Sequence, residues 1–324
     1  MVRVLYAGSP EASAVTLGIL LEKSAECGFE IAGVLSNPPS AKGRHKALVP
    51  TPVAQLAEEK GIPVFTPEHL DSAAREAVQA VNADILAVFA YGHIFGPKFM
   101  SLFKFGGINL HPSALPEYRG CTPVNAAILN GNSKTAFTVQ AISQKMDEGD
   151  ILAQEEVVLN GTENALSLLN DAAVRGGKMI SLLLKSVSEN NSLPAGRSQQ
   201  GEASYTGIIT KDDAKLDWSK SSREIDCAVR AYYGDPSAWT LEKGLPLKII
   251  EGKPLSDEEG TALGGSNNVA PGTVSVFAKS AGILVKCGSG FYAVTKLQRQ
   301  GKNAMDYKSF MNGARDFVGT VLSV

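Results

Sequence analysis

The chain has 324 residues, 44% of them hydrophobic, which is enough apolar material for a substantial core and a length that predicts two domains rather than one. A formal net charge of −2 argues against a strongly basic nucleic-acid-binding protein. The longest apolar runs, such as Asp84 to Tyr91 and Ile180 to Leu184, fall far short of the roughly 20 residues that span a bilayer, so no membrane partner is expected. Met1 to Gly8 reads as a first strand ended by a glycine turn rather than as a signal peptide, which predicts a cytoplasmic location. Cys27, Cys121, Cys227 and Cys287 are far apart with no C-x-x-C spacing, and only four histidines could supplement them, so free thiols and no metal site are expected.

In chain order, strand-like runs at Val2 to Ala7, Glu30 to Leu35, Val64–Phe65, Asp84 to Ala90 and Gly107 to Leu110 alternate with helical patterns. The helices fall at Ala12 to Ala25, Pro52 to Lys60 and near Glu68 to Ala80. Such alternation predicts an α/β fold with a doubly wound, mostly parallel sheet. Ligands of these sheets bind beyond the carboxyl ends of the strands, which singles out Tyr91-Gly92-His93 and Asn109-Leu110-His111. A Gly-, Pro- and cation-rich loop between Ser36 and Pro52 is long for a compact α/β connection and reads as functional or disordered. A helix from about Glu163 to Ser188 closes a first domain, 1–188, and a polar stretch, 189–206, reads as a linker. From 207 to 324, after a helix at Ser222 to Ala231, short β-like runs at Leu245 to Ile250, Gly272 to Phe277, Gly282 to Cys287 and Phe291 to Leu297 predict a small β-barrel domain. The charge balance shifts from acidic before Thr206 to slightly basic after it, which permits a polyanionic partner without demanding one.

The chemistry concentrates in Asn109 to Gly120, together with Asp147 in Met146-Asp147-Glu148-Gly149-Asp150. Acyl transfer to an amine needs a donor for the developing oxyanion, a base for the amine's proton and a group that holds the base. Asn, His and Asp can fill those roles, and Asn109 and His111, two apart on a strand end, project to the same side. The same residues also fit a structural histidine and a turn asparagine, so spacing alone leaves both readings open.

Asn109 to Gly120 resembles the signature of the folate-dependent formyltransferase family, Asn-x-His followed by a Pro-containing loop and Arg-Gly, with an Asp in a downstream Asp-x-Gly. The resemblance implies catalytic roles for Asn109, His111 and Asp147, the first two polarising the formyl group and the Asp assisting proton transfer. It implies 10-formyltetrahydrofolate as co-substrate, held by Ser113, Ala114, Leu115 and Pro116 and by Tyr91 and Ile94. Ala114 departs from the Leu usual in that loop. Ala7-Gly8-Ser9-Pro10, Gly43-Arg44-His45-Lys46, Thr210 to Trp218, Ile225 to Tyr232, Leu297 to Met305 and Phe310 to Gly313 are similar to the tRNA-acting branch of the family. The resemblance spans essentially the whole chain. It implies formyl transfer to the methionyl amine of initiator tRNA, a monomer, an OB-like second domain, and phosphate contacts from Arg44 and Lys46 and more weakly from Lys248, Lys286, Lys296, Arg299 and Lys302.

Rival readings are formylation of a sugar nucleotide or purine precursor, or hydrolysis of formylfolate, against which the tRNA-like second domain speaks. A nucleotide-dependent dehydrogenase would need a G-x-G-x-x-G after the first strand, where Gly8 stands alone, and no P-loop pattern occurs. Intact Asn109, His111 and Asp147 speak against a catalytically silent RNA-binding protein.

Overall fold

The computed structural model describes residues 1–42, 47–314 and 316–323. It divides into two compact units, one of Met1–Pro123, Lys134–Val158 and Leu168–Gly207, the other of Val124–Ser133, Leu159–Ser167 and Ile208–Val324. The segment 189–206, which reads as a linker, therefore belongs to the first unit, and two short excursions of the first half belong to the second.

In chain order the first unit contains β1 (Val2–Ala7), α1 (Glu11–Cys27), β2 (Phe29–Leu35), β3 (Ser40–Lys42), β4 (Ala47–Val49), α2 (Pro52–Glu59), β5 (Val64–Phe65), α3 (Ser72–Gln79), β6 (Ile85–Val88), α4 (Pro97–Met100), β7 (Gly107–His111) and β8 (Arg119–Gly120). Past α5 (Pro123–Leu129) it resumes with β9 (Lys134–Ala141), β10 (Ile151–Val158), α6 (Ala165–Asn190) and β11 (Tyr205–Thr206). Local chemistry sets the boundaries. Thr51 caps α2 by accepting from the Ala54 amide with Pro52 at the first helical position, and Asp71 caps α3. Gly28 closes α1 in the left-handed conformation.

The strands form a sheet of order β10-β9-β7-β6-β1-β2-β5. Strands β7, β6, β1, β2 and β5 run parallel, while β9 is antiparallel to β7 and β10 to β9. Strands β6 and β1 are buried along nearly their whole length, as a doubly covered sheet demands. The order reverses beside β1, whose neighbours are β2 on one side and β6 on the other, so the chain diverges at the carboxyl ends of β1 and β6. Asn109 of β7 lies opposite Val88 at the end of β6, which brings it to that same end of the sheet. Helix α6 fixes β7 from one face: a Cβ on Gly176 would fall 2.2 Å from Cδ2 of Leu110, the residue between Asn109 and His111.

The second unit carries α7 (Ser222–Ala231), β12 (Trp239–Glu242), β13 (Leu245–Leu255), α8 (Asp257–Ala262), β14 (Val274–Ala278), β15 (Gly282–Lys286), β16 (Phe291–Arg299), β17 (Met305–Asp306) and α9 (Tyr307–Asn312). Its sheet is antiparallel, ordered β12-β13-β16-β15-β14, with β17 on β16. The chain's end links the two edges: Ser323 donates to Leu241 on β12 and Leu322 donates to Gly272 just before β14. Inside lie Trp218, Ile225, Leu247, Ile283, Tyr292, Leu297 and Phe317. Helix α7 is held by a full capping box of Ser221 and Glu224.

Candidate active site

Strand β7 ends in the two residues the sequence singles out. Asn109 and His111 share one face because strand side chains alternate, and they lie opposite Gln140 and Thr138 of β9. Asn109 is half-buried, and its carboxamide has no intramolecular hydrogen bond among the described residues, so both its donor and its acceptor are available to a ligand.

His111 is only 4% exposed. Its Nε2 donates to the Tyr118 carbonyl at 2.9 Å, and its Nδ1 lies 3.5 Å from Asp147 Oδ2. Burial pushes the imidazole below its ordinary value of 6.5, and the Asp147 charge and the Tyr118 carbonyl pull it partly back. The ring is therefore neutral at pH 7, and a ring that gains a proton finds an acceptor on each side.

Asp147 sits in a left-handed turn, φ 55°, a conformation that Asp tolerates better than most residues. Its Oδ2 accepts from the Gly120 amide at 2.8 Å and its Oδ1 from Gln140 Nε2 at 2.7 Å. Both glycines around this loop are forced. A Cβ on Gly149 would lie 1.7 Å from the Ala141 carbonyl, and one on Gly120, where φ is 107°, would lie 2.2 Å from that of Thr206. The latter contact exists because β8 pairs with β11.

The other expected contacts fall out unevenly. The side chain of Ser113 is turned inward: it is fully buried and donates to the Glu117 carbonyl at 2.6 Å, so it braces the loop expected to hold the folate. Leu115 and Pro116 are buried as well, and Ala114 is the partly exposed member of that loop. Tyr91 packs in the core with Leu5, Leu35 and Phe95, whereas Ile94 is 74% exposed. His93 accompanies them, its Nε2 within 2.8 Å of Asn37 Oδ1.

Among the cations expected to meet tRNA, Arg44 and Lys46 lie outside the described residues. Lys286 is buried, paired with Asp257 at 2.7 Å and stacked over Phe291. Arg299 is bidentate to Glu242, at 2.7 and 2.5 Å, and covers Phe310, while Lys296 pairs with Glu251 at 3.0 Å. Lys302 is exposed and Lys248 half-buried, and neither has an acidic partner among the described residues. Two residues the sequence did not point to complete the site, Gln140 and Gln199; the latter donates to the Asp147 carbonyl at 2.8 Å. No group of three His, Cys, Asp or Glu side chains among the described residues could hold a metal ion, and no described helix is long and apolar enough to cross a membrane.

A free carboxamide, a buried neutral imidazole and a carboxylate beside it form a set that can stabilise an oxyanion and move a proton. Residues 2–183 match the family model of formyl transferases and residues 208–315 that of the formyl transferase C-terminal domain. The chain is 36% identical to the methionyl-tRNA formyltransferase of Treponema denticola, over 98% of both chains. It is 33% identical to that of Bacillus subtilis, over 100% of this chain and 98% of the other. Among solved structures it shares its fold with HypX from Aquifex aeolicus in complex with tetrahydrofolic acid, at TM-score 0.64 and 13% identity over 98% of this chain and 48% of HypX. The chain belongs to the formyl transferase family, in its methionyl-tRNA formyltransferase branch.

Proposed function

We propose that this enzyme transfers the formyl group of 10-formyltetrahydrofolate to the α-amino group of methionine on initiator tRNA, and that Asn109, His111 and Asp147 carry the reaction. The observation that bears most weight is the Asn109 carboxamide, unpartnered among the described residues, two residues from a buried, neutral His111 at the carboxyl end of β7. The amine nitrogen attacks the formyl carbon, Asn109 donates to the oxygen as it becomes an oxyanion, and the bond from carbon to the folate nitrogen breaks. The proton lost by the amine reaches that nitrogen through His111 Nδ1 or a water held by Asp147. The imidazolium formed on the way is stabilised by the Tyr118 carbonyl and the Asp147 carboxylate.

The exposed Ile94 side chain and the Ala114 loop are the apolar surfaces offered to the folate ring. Arg44, Lys46, Lys248 and Lys302 are the cations assigned to tRNA phosphates, and the work belongs to cytoplasmic translation initiation. Extension of the relatives' similarity through the second unit supports a tRNA acceptor over a free small amine.

The test mixes the protein with 10-formyltetrahydrofolate and compares formyl transfer to methionyl initiator tRNA, methionyl elongator tRNA and free methionine. Preference for the charged initiator is the expected result. Consumption of formylfolate without transfer to any of the three would overturn the acceptor while leaving the formyl chemistry in place.

A further inference from the structure

Gln199 lies in the polar stretch that reads as a linker, yet its carboxamide is half-buried and fully engaged in the first unit. Its Nε2 donates to the carbonyls of Asp147 and Gly149, each at 2.8 Å, and lies 3.4 Å from Gln140 Oε1. The same Gln140 donates its Nε2 to Asp147 Oδ1. On the other end, Gln199 Oε1 accepts from Arg119 Nε at 3.1 Å and Nη2 at 2.7 Å. Arg119 also reaches Tyr205 Oη at 2.9 Å and Glu148 at 3.2 Å.

The guanidinium can only donate, so it fixes which end of the Gln199 amide faces it, and the NH₂ group is left facing the Asp147 and Gly149 carbonyls. We infer that Gln199 is a positioning residue for formyl transfer, one that anchors the Asp147 turn to Arg119 and thereby sets the carboxylate against His111. The inference rests on the assignment of Asp147 to the proton transfer.

Three observations make the anchor necessary. The Asp147 backbone is left-handed, a conformation that persists only where the surroundings over-determine it. The turn's outer side is solvent, with Met146 53% exposed, so side-chain packing does not hold it from that side. The carboxylate's own two bonds, to Gly120 and Gln140, fix its oxygens but leave the peptide around it able to relax. Displacement of a catalytic group by about 1 Å costs on the order of 10²-fold in rate.

The experiment compares wild type, Gln199→Ala, Gln199→Glu, Asp147→Asn and the double variant Gln199→Ala/Asp147→Asn. It measures steady-state formyl transfer from 10-formyltetrahydrofolate to methionyl initiator tRNA, with thermal midpoints recorded alongside. Gln199→Ala is expected to lower kcat by about 10- to 100-fold with both KM values within about twofold of wild type. Gln199→Glu retains the acceptor for Arg119 but loses both donors, so it is expected to fare no better; it also carries the test should the alanine variant fail to fold. The double variant is expected to be no slower than Asp147→Asn alone, because the loss runs through Asp147. Multiplicative losses in the double variant, a change confined to KM, or full kcat in Gln199→Glu would overturn the inference. Asp147→Asn with undiminished kcat would remove the underlying chemistry as well, whereas a crippled Asp147→Asn beside an unimpaired Gln199→Ala would sink the positioning role alone.

Discussion

His111 Nδ1 stands 3.5 Å from Asp147 Oδ2, beyond the usual range of a good hydrogen bond, while the other ring nitrogen is fully bonded to the Tyr118 carbonyl. The pair is thus arranged around a proton it does not yet hold. In the neutral ring, Nε2 carries the proton and Nδ1 presents a lone pair toward the carboxylate; protonation at Nδ1 converts that opposition into a charge-assisted bond.

The sign of the pH dependence follows. Burial lowers the His111 pKa and the Asp147 charge raises it, so Asp147→Asn removes the raising contribution and drops the imidazole further. The acid limb of kcat/KM, which reports the free enzyme's essential base, is expected to move to lower pH in that variant. Turnover near pH 7.5 should fall by about 10²-fold. A limb that moves upward, or stays where it is, would detach Asp147 from the His111 titration.

Asn109 offers a simpler case, because it donates to nothing among the described residues. Truncation to alanine removes no internal hydrogen bond, so the thermal midpoint should barely change. Loss of an oxyanion donor typically costs about 10²- to 10³-fold in rate, and that loss is expected in kcat. Full turnover by Asn109→Ala would take the residue out of the chemistry.

The parallel core and the placing of Asn109 and His111 on one face of a strand end are legible because they rest on local patterns: apolar runs at β1, β6 and β7, helical spacing between them, and the two-residue step from Asn109 to His111. Strand β9 carries its own signal in the β-branched run Lys134 to Ala141, which places Gln140 on a strand, but nothing in that run shows that it pairs antiparallel with β7 beside Asn109. Gln199 gave no such signal. Its role depends on a carboxamide reaching carbonyls about fifty positions away, and Ser, Gln and Gly around it are equally the composition of a linker. The pairing of the cations is illegible for a related reason. Composition counts Lys286 and Arg299 as free charges, whereas Asp257 and Glu242, distant in sequence, fold beside them.

Gly176 tests how tightly the functional strand is held. Alanine gains about 1 kcal/mol in helix propensity, but its Cβ would overlap Leu110, a 2%-exposed side chain with no room to retreat. Overpacking of this kind costs about 1–3 kcal/mol, so Gly176→Ala is expected to be destabilising on balance. Because Leu110 separates Asn109 from His111, the strain should also lower kcat. Leu110→Ala opens a cavity at a cost of about 2–5 kcal/mol, yet adding Gly176→Ala to it should recover part of that loss. Strict additivity in chemical denaturation would show that α6 does not brace β7 at this point.

Lys286 and Lys302 should separate stability from tRNA binding. Lys286 is buried against Phe291 and bonded to Asp257 and the Gly290 carbonyl, so alanine leaves a carboxylate and a carbonyl without their donor. The cost is about 1–2 kcal/mol, discounted because Asp257 is partly solvated, and it should appear as a lower thermal midpoint with the salt dependence of tRNA affinity unchanged. Lys302 lies exposed on the turn after β16, where removal should leave the midpoint alone. If it meets a phosphate, Lys302→Ala weakens binding regardless of tRNA sequence and reduces the slope of log affinity against log salt by about 1. A slope that instead changes in Lys286→Ala would mean that the Asp257 pair opens to meet tRNA and that the buried cation is part of the binding surface after all.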